Sequence, residues 1–480
     1  MNVSGSSPLS DETQYCGPAE VRFLDLHQVS LALAQGRAIK QQQHLEQLCF
    51  VLCRSAGILG VSQPTATREA PNRIAWVHGL RGLASWVIVL SHFRLCFWEW
   101  SVNASTDGKI HLIQWPFVRL ICAGRPAVRM LFVLSGLVLS YSTAKHIQAG
   151  RRNAALLCIL RGIQTRYWRL MLPALCISTI SIGLMWLKAY NVSDGAPGYL
   201  TTGIPRSMGG LYQDIWFRVW GALVDMWICG WQPAHTSLWC MKSILVGSYL
   251  LYGCWLLHGG QARPPYVHWV VSAGLLFSVE AAGYMLVDCS GTILGGIVAY
   301  HLVADTQFHS SIAVVGLISG LFLASFPIGE PNAFWCSWMF DLACKLMRLN
   351  EFSKHNEATC AFWYNIAAFL LVMSITQLPN LQHLLSAQWL QATGTVSFAL
   401  FLVHPVVFWT VGAATYTVIS AGLSTPLGEV CLPAAAAMFV ASIAVSWFAS
   451  QVWHKFIEIP LYNLVRGWLV DSKEAWTIDL

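Results

Sequence analysis

Ionisable side chains inside long apolar runs are costly to keep there, so each one asks for a role. The first such run reads His78-Gly79-Leu80-Arg81-Gly82-Leu83-Ala84 and, after an apolar stretch, Ser91-His92-Phe93. Arg81 and His92 stand eleven positions apart, which puts them on one helix face with roughly 16 Å of axis between them. An imidazole that titrates near working pH suits removal of a hydroxyl proton. The same two residues also read as a snorkelling arginine and a histidine bonded to a neighbouring helix. A second cluster holds Arg161, Arg166 and Arg169, with Tyr167 and Trp168 between the last two. Arg166 and Arg169 are three apart and share a helix face. Guanidinium groups grip phosphates in bidentate fashion; alternatively, these charges merely flank a span and set its orientation.

Other candidates carry less. Arg125 and Arg129, four apart, are a lumenal anchor or part of a polar site, the anchor being the simpler reading. Lys242 and Glu280 fall within apolar runs and read as an ion pair. His404, in Phe401-Leu402-Val403-His404-Pro405, faces a neighbouring helix or closes a site. His301 and Asp305 form an HxxxD string, which arises easily by chance and sits in a membrane context foreign to soluble acyltransferases. The sequence has no glycine-rich phosphate loop, zinc spacing or nucleophile elbow, so no metal is expected.

The elements that must position these residues follow from composition. Of 480 residues, 55% are hydrophobic and 11% charged, where soluble domains carry about 25% charged. So little charge cannot cover that much apolar surface in water, so lipid is the solvent for much of the chain. The 23 Trp and 14 Tyr suit anchoring at two interfaces. A net charge of +6 spread along the chain marks no nucleic-acid surface. The 15 Cys lie mostly in apolar stretches, without a CxxC, and read as packing residues. The fold class expected is all-α: a polytopic bundle of about ten transmembrane helices, at 74–97, 126–143, 168–187, 236–257, 266–287, 289–304, 311–329, 360–377, 395–421 and 431–453. Asp288 would mark the turn between the fifth and sixth. Residues 1–71 read as a cytosolic or surface-lying preface without a signal-peptide profile, 72–465 as the membrane domain and 466–480 as a tail. The Trp-rich stretch 213–231 reads as interfacial.

The loop 144–169 holds Lys145, Arg151, Arg152, Arg161, Arg166 and Arg169, which places it and both termini in the cytosol. The sequons at Asn103 and Asn191 then fall in the lumen of a compartment such as the endoplasmic reticulum, as glycosylation sites. The loop 328–359, lumenal on this scheme, mildly disagrees through Lys345, Arg348 and Lys354.

Taken in order along residues 74–465, the chain resembles the acyltransferase family 3 of integral-membrane proteins. The resemblance rests on Gly79-Leu80-Arg81-Gly82-Leu83-Ala84 with His92, on Phe132-Val133-Leu134-Ser135-Gly136, and on Arg166-Tyr167-Trp168-Arg169-Leu170 followed by Pro173. It continues through Ser397-Phe398-Ala399-Leu400-Phe401-Leu402-Val403-His404 and Glu458-Ile459-Pro460. It implies a ten-helix enzyme with an acyl-CoA co-substrate, acetyl-CoA in the narrower case. His92 would be catalytic, and Arg81, Arg166 and Arg169 would support it or hold the donor, with Arg161 nearby. The chain departs from fungal relatives at Ile244, which stands where they carry a glutamate. The acid is then dispensable, or Glu280 or Glu458 covers its role, or activity is lost. In its Trp-rich style the chain is also similar to fungal O-acetyltransferases of meroterpenoid pathways, which implies a hydrophobic terpenoid acceptor entering from the bilayer. Two other classes stay open: a transporter with Arg81, His92, Lys242 and Glu280 as a relay, and a non-catalytic relative that binds lipid or a partner.

Overall fold

Helices satisfy every backbone group internally, which is why apolar runs of this length become helices in lipid. The computed structural model describes residues 74–190, 210, 236–258, 265–277, 284–347, 356–423 and 430–470, and these form an all-α membrane bundle. In chain order the helices are α1 (Ala75–Phe97), α2 (Gly124–Gln148), α3 (Arg152–Trp186), α4 (Met241–Leu257), α5 (Tyr266–Phe277), α6 (Tyr284–Val303), α7 (Ser310–Ala324) and α8 (Ser337–Leu346). They continue as α9 (Asn356–Ile375), α10 (Pro379–Leu385), α11 (Gln388–Thr395), α12 (Ser397–Val407), α13 (Ala413–Gly422), α14 (Leu432–Trp453) and α15 (Ile459–Val470). Each of the ten expected segments overlaps one of these helices. Among the described residues seven helices are long and apolar enough to cross a membrane, and three apolar helices, α5 to α7, are shorter. The segments 1–71 and 213–231, and the sites Glu280 and Asn191, lie outside the described residues.

Three sequence expectations are corrected by packing. The stretch 144–169 is not a loop: α2 runs to Gln148 and α3 starts at Arg152. Its Ala, Leu, Gln and Arg residues are good helix formers, and hydropathy detects only the part that enters lipid. Asp288 is no turn. It sits inside α6, 1% exposed, with Oδ1 2.6 Å from Arg129 Nη2 and Oδ2 accepting from Ser243 Oγ. Arg129 is correspondingly no anchor. It is buried and holds the carboxylate that would otherwise be expelled from a span. Arg125, by contrast, is half-exposed and pairs with Glu357 at 3.0 Å.

The centre of the bundle is the crossing of α2 and α6, where two glycines remove the side chains that would hold the backbones apart. A Cβ on Gly136 would stand 1.9 Å from Thr292 O, and one on Gly295 2.0 Å from Val133 O. Small residues are the usual means of close helix approach in lipid. Replacing Gly295 by Leu should therefore abolish monodisperse protein in detergent, since even modest overpacking costs about 1–3 kcal/mol. Wild-type yield and thermal midpoint for that variant would remove this crossing as the organising contact.

α1 packs its first turns against α10 and α11. A Cβ on Gly82 would lie 2.5 Å from Leu390 O, and one on Gly394 2.0 Å from His78 O. The glycines of Gly79-Leu80-Arg81-Gly82 thus face α10 and α11, and Arg81 lies about 200° round the helix from Gly79. At the other end of the bundle, the segment after α1 is tied down by Arg119, which donates to Val102 O at 2.8 Å, and by Asn103 Oδ1, which accepts from Glu330 N at 3.0 Å. The Ser105 hydroxyl of the same sequon donates to Asn332 Oδ1.

Two helices are longer than a membrane is thick. α3 has 35 residues, roughly 52 Å, against hydrocarbon of about 30 Å. The helical run Leu432–Trp468 has 37 residues. α3 packs against α15, with the Arg169 guanidinium 5.0 Å from the Tyr462 ring centre.

Candidate active site

A cavity of about 580 Å³ lies between α1, α2, α3, α4, α12 and the helical segment that joins α14 to α15. Its polar end is lined by His78 and Arg81 of α1, Arg166 and Arg169 of α3, and His454 and Glu458. Its apolar end is lined by Val128, Leu131 and Phe132 of α2, Cys240, Ile244 of α4 and Phe401 of α12. The long α3 delivers both arginines to one wall because they are one turn apart. Pro173, also in the lining, has no N–H to give to the Arg169 carbonyl four residues back, so that oxygen lacks its usual α-helical donor.

The electrostatics are one-sided. Arg81 lies within reach of Arg169 and Glu458, and Arg166 within reach of Arg169 and Arg81. Three guanidinium groups thus share the cavity with one lining carboxylate, Glu458. That carboxylate already bonds His454 Nδ1 across one turn. The pair sits on a π-helical segment, His454–Glu458. Such segments recur at functional sites because the widened turn redirects side chains. Arg166 is held by hydroxyls: its Nε donates to Ser248 Oγ at 3.1 Å and its Nη2 to Ser135 Oγ at 2.6 Å. The outcome is a cavity with surplus positive charge at one end and an apolar pocket at the other, suited to a molecule with an anionic head and an uncharged arm.

His92 does not line this cavity. It is half-buried on α1, and its ring meets the ring of His404 edge-on with centroids 4.9 Å apart. His404 is fully buried, and its Nδ1 donates to Leu400 O at 2.9 Å. A carbonyl only accepts, so that bond puts the proton on Nδ1 and makes Nε2 the lone-pair nitrogen of the neutral ring. Phe401 lines the cavity, and its ring centre is 6.2 Å from that of His404. The imidazole pair therefore adjoins Phe401, one turn of α12 from this residue of the apolar lining.

Of the residues singled out from sequence, Arg81, Arg166, Arg169 and Glu458 come together in one cavity. His92 and His404 come together behind it. Arg161 does not join: it is exposed on α3 and outside the lining, five positions and so about 140° round the helix from Arg166. His301 sits at the end of α6, its Nδ1 bonded to Thr306 Oγ1, and takes no part. Ile244 lines the cavity wall, so the departure from the glutamate falls within the site. His78, Ser135, Ser248, His454 and Tyr462 were missed as site residues. Only His454 had a legible signal, its i,i+4 spacing to Glu458 just before a proline.

Residues 74–451, more than half of the chain, match the family model described as Acyltransferase domain. The chain is also similar to O-acetyltransferase PaAT-1 of Phomopsis amygdali, 27% identical over 150 residues that cover 30% of each protein. The match thus spans under a third of that relative's length. No solved structure gives a significant match.

Proposed function

This chain belongs to the acyltransferase family whose model it matches, and from that premise we propose that it is a membrane O-acetyltransferase. In this reading it transfers acetyl from acetyl-CoA to a hydroxyl of a hydrophobic small molecule. The observation that carries this reading is the cavity itself, with three arginines and one engaged carboxylate at one end and an apolar pocket leading toward an imidazole pair at the other. The anionic head of CoA supplies the charge that this end lacks, and the uncharged pantetheine arm suits the apolar end. His92 removes the proton of the acceptor hydroxyl as its oxygen attacks the thioester carbonyl. The C–S bond then breaks, and the thiolate leaves with the proton returned from the imidazolium. His404, with its proton fixed on Nδ1, orients His92 or stabilises its charged form. Glu458 is the acid available where Ile244 replaces the family glutamate. The likeness to a fungal O-acetyltransferase supports acetyl as the transferred group; the acceptor in this reading is a terpenoid or meroterpenoid secondary metabolite that reaches the site laterally from lipid.

The test is metabolic and direct. Deletion of the gene should remove an acetylated metabolite from extracts read by mass spectrometry. Purified protein with acetyl-CoA should restore it to the deletant extract with release of free thiol. Thiol release without a new acetylated product, or no thiol release from well-folded protein, would defeat the reading and leave a transporter or a non-catalytic relative.

The orientation belongs to the same proposal. With the arginine-lined end in the cytosol, where CoA is made, both termini are cytosolic and Asn103, beyond the opposite end of α1, faces the lumen. The expected compartment is the endoplasmic reticulum, with Asn103 and Asn191 as acceptor sites for glycans. In sealed microsomes a tag placed within residues 189–212 should resist protease until detergent is added. Rapid digestion without detergent would invert the scheme.

A further inference from the structure

We infer that Ser135 and Ser248 are positioning residues that set Arg166 to receive a phosphate group of the donor. This inference rests on the acyl-CoA reading of the cavity. The directions of the hydrogen bonds are fixed by proton count. Ser248 Oγ gives its only proton to Ile244 O at 2.6 Å, so toward Arg166 Nε, 3.1 Å away, it accepts. Arg has no acceptor, so Ser135 Oγ accepts from Nη2 at 2.6 Å. These two bonds, reaching Arg166 on α3 from α4 and α2, occupy the side-on fork of the guanidinium formed by Nε and Nη2. Of its five N–H groups, three remain, and two of them, one on Nη1 and one on Nη2, form the end-on edge. That edge matches two phosphate oxygens in bidentate fashion.

The chemistry of the two partners is what makes this a ligand device. A carboxylate at either position would hold the arginine equally well and would cancel its charge. Two neutral hydroxyls fix the geometry and leave the charge whole for an anion. Ser248 is fully buried and outside the cavity lining, whereas Ser135 lines the cavity. Ser248 therefore acts only through Arg166, while Ser135 is also placed to give its own proton to the same phosphate oxygen.

The experiment is a binding titration of the full chain in nanodiscs with CoA and with pantetheine, which lacks the nucleotide and its phosphates. Wild-type protein should prefer CoA. Ser248→Ala and Ser135→Ala should each weaken CoA by about tenfold, the range of a hydrogen bond to a charged group, and leave pantetheine binding and the thermal midpoint unchanged. Ser135→Thr, which keeps the hydroxyl, should restore CoA affinity. Unchanged CoA affinity in both alanine variants, or equal losses for CoA and pantetheine, would overturn the positioning role. A wild-type protein that does not distinguish CoA from pantetheine would instead defeat the underlying assignment of the arginine-lined end to the donor phosphates.

Discussion

His92→Gln should abolish acetylation while the protein still inserts, still elutes as a single species and still binds acetyl-CoA. A glutamine keeps a hydrogen bond but cannot accept the proton of an acceptor hydroxyl. Loss of a general base costs about 10²–10⁴ in rate, on the order of 3–5 kcal/mol of barrier. His92 stands edge-on to His404 behind Phe401, so the variant tests the group at the inner end, away from the arginines. A purely structural His92 makes the opposite forecast: Gln is tolerated and Ala fails through lost expression. The measurement is restoration of the acetylated metabolite by the variant in the deletion strain, beside a CoA titration on the purified protein. Near wild-type acetylation by the Gln variant would strip His92 of the role. The base would then be sought at His404 or at His454, which lines the cavity itself with Glu458 behind it.

Arg166→Ala and Arg169→Ala should raise the apparent KM for acetyl-CoA by about tenfold to a hundredfold, as expected when a hydrogen bond to a charged partner is lost. The KM for the acceptor should change little. Two differences between the arginines refine this. Arg166 is half-buried and fixed by two serines, whereas Arg169 is exposed and rests on Tyr462. The larger effect is therefore expected at Arg166, whose guanidinium is held in one geometry by its two serines. Removal of Arg166 also leaves Ser135 and Ser248 without their cation, which should slightly relax the contact of α3 with α2 and α4. Steady-state kinetics with the donor varied at fixed acceptor decides the matter. An unchanged donor KM in both variants would reduce these residues to charges that orient a span.

Much of the bundle was legible because the physics behind it is local. A carboxylate or guanidinium costs so much in hydrocarbon that long uncharged runs declare themselves. Helix periodicity then ties Arg81 to His92 and Arg166 to Arg169 without reference to any other element. The span around His404 was legible in the same way, as a pattern within one stretch of chain. What misled was equally local. Hydropathy cut α3 at position 168 and made a loop of its first turns, and a lone Asp288 looked like a turn because its partner Arg129 is more than a hundred residues away.

Composition and apolar run length place the chain in lipid, make it helical and mark which ionisable groups are buried there at a cost. Which of them meet depends on how the helices pack. Arg81, Arg166, Arg169 and Glu458 share a cavity because Gly79 and Gly82 turn α1 toward α10 and α11 and because α3 and α15 pack side by side. Arg161 is excluded by its angle on the same helix. His92 finds His404 only because α1 and α12 are neighbours. Periodicity fixes the face of a residue within its own helix, but which faces come together depends on backbone approach between segments hundreds of residues apart. Those approaches are set by small residues such as Gly136 and Gly295, whose spacing in one chain does not name the partner they will touch.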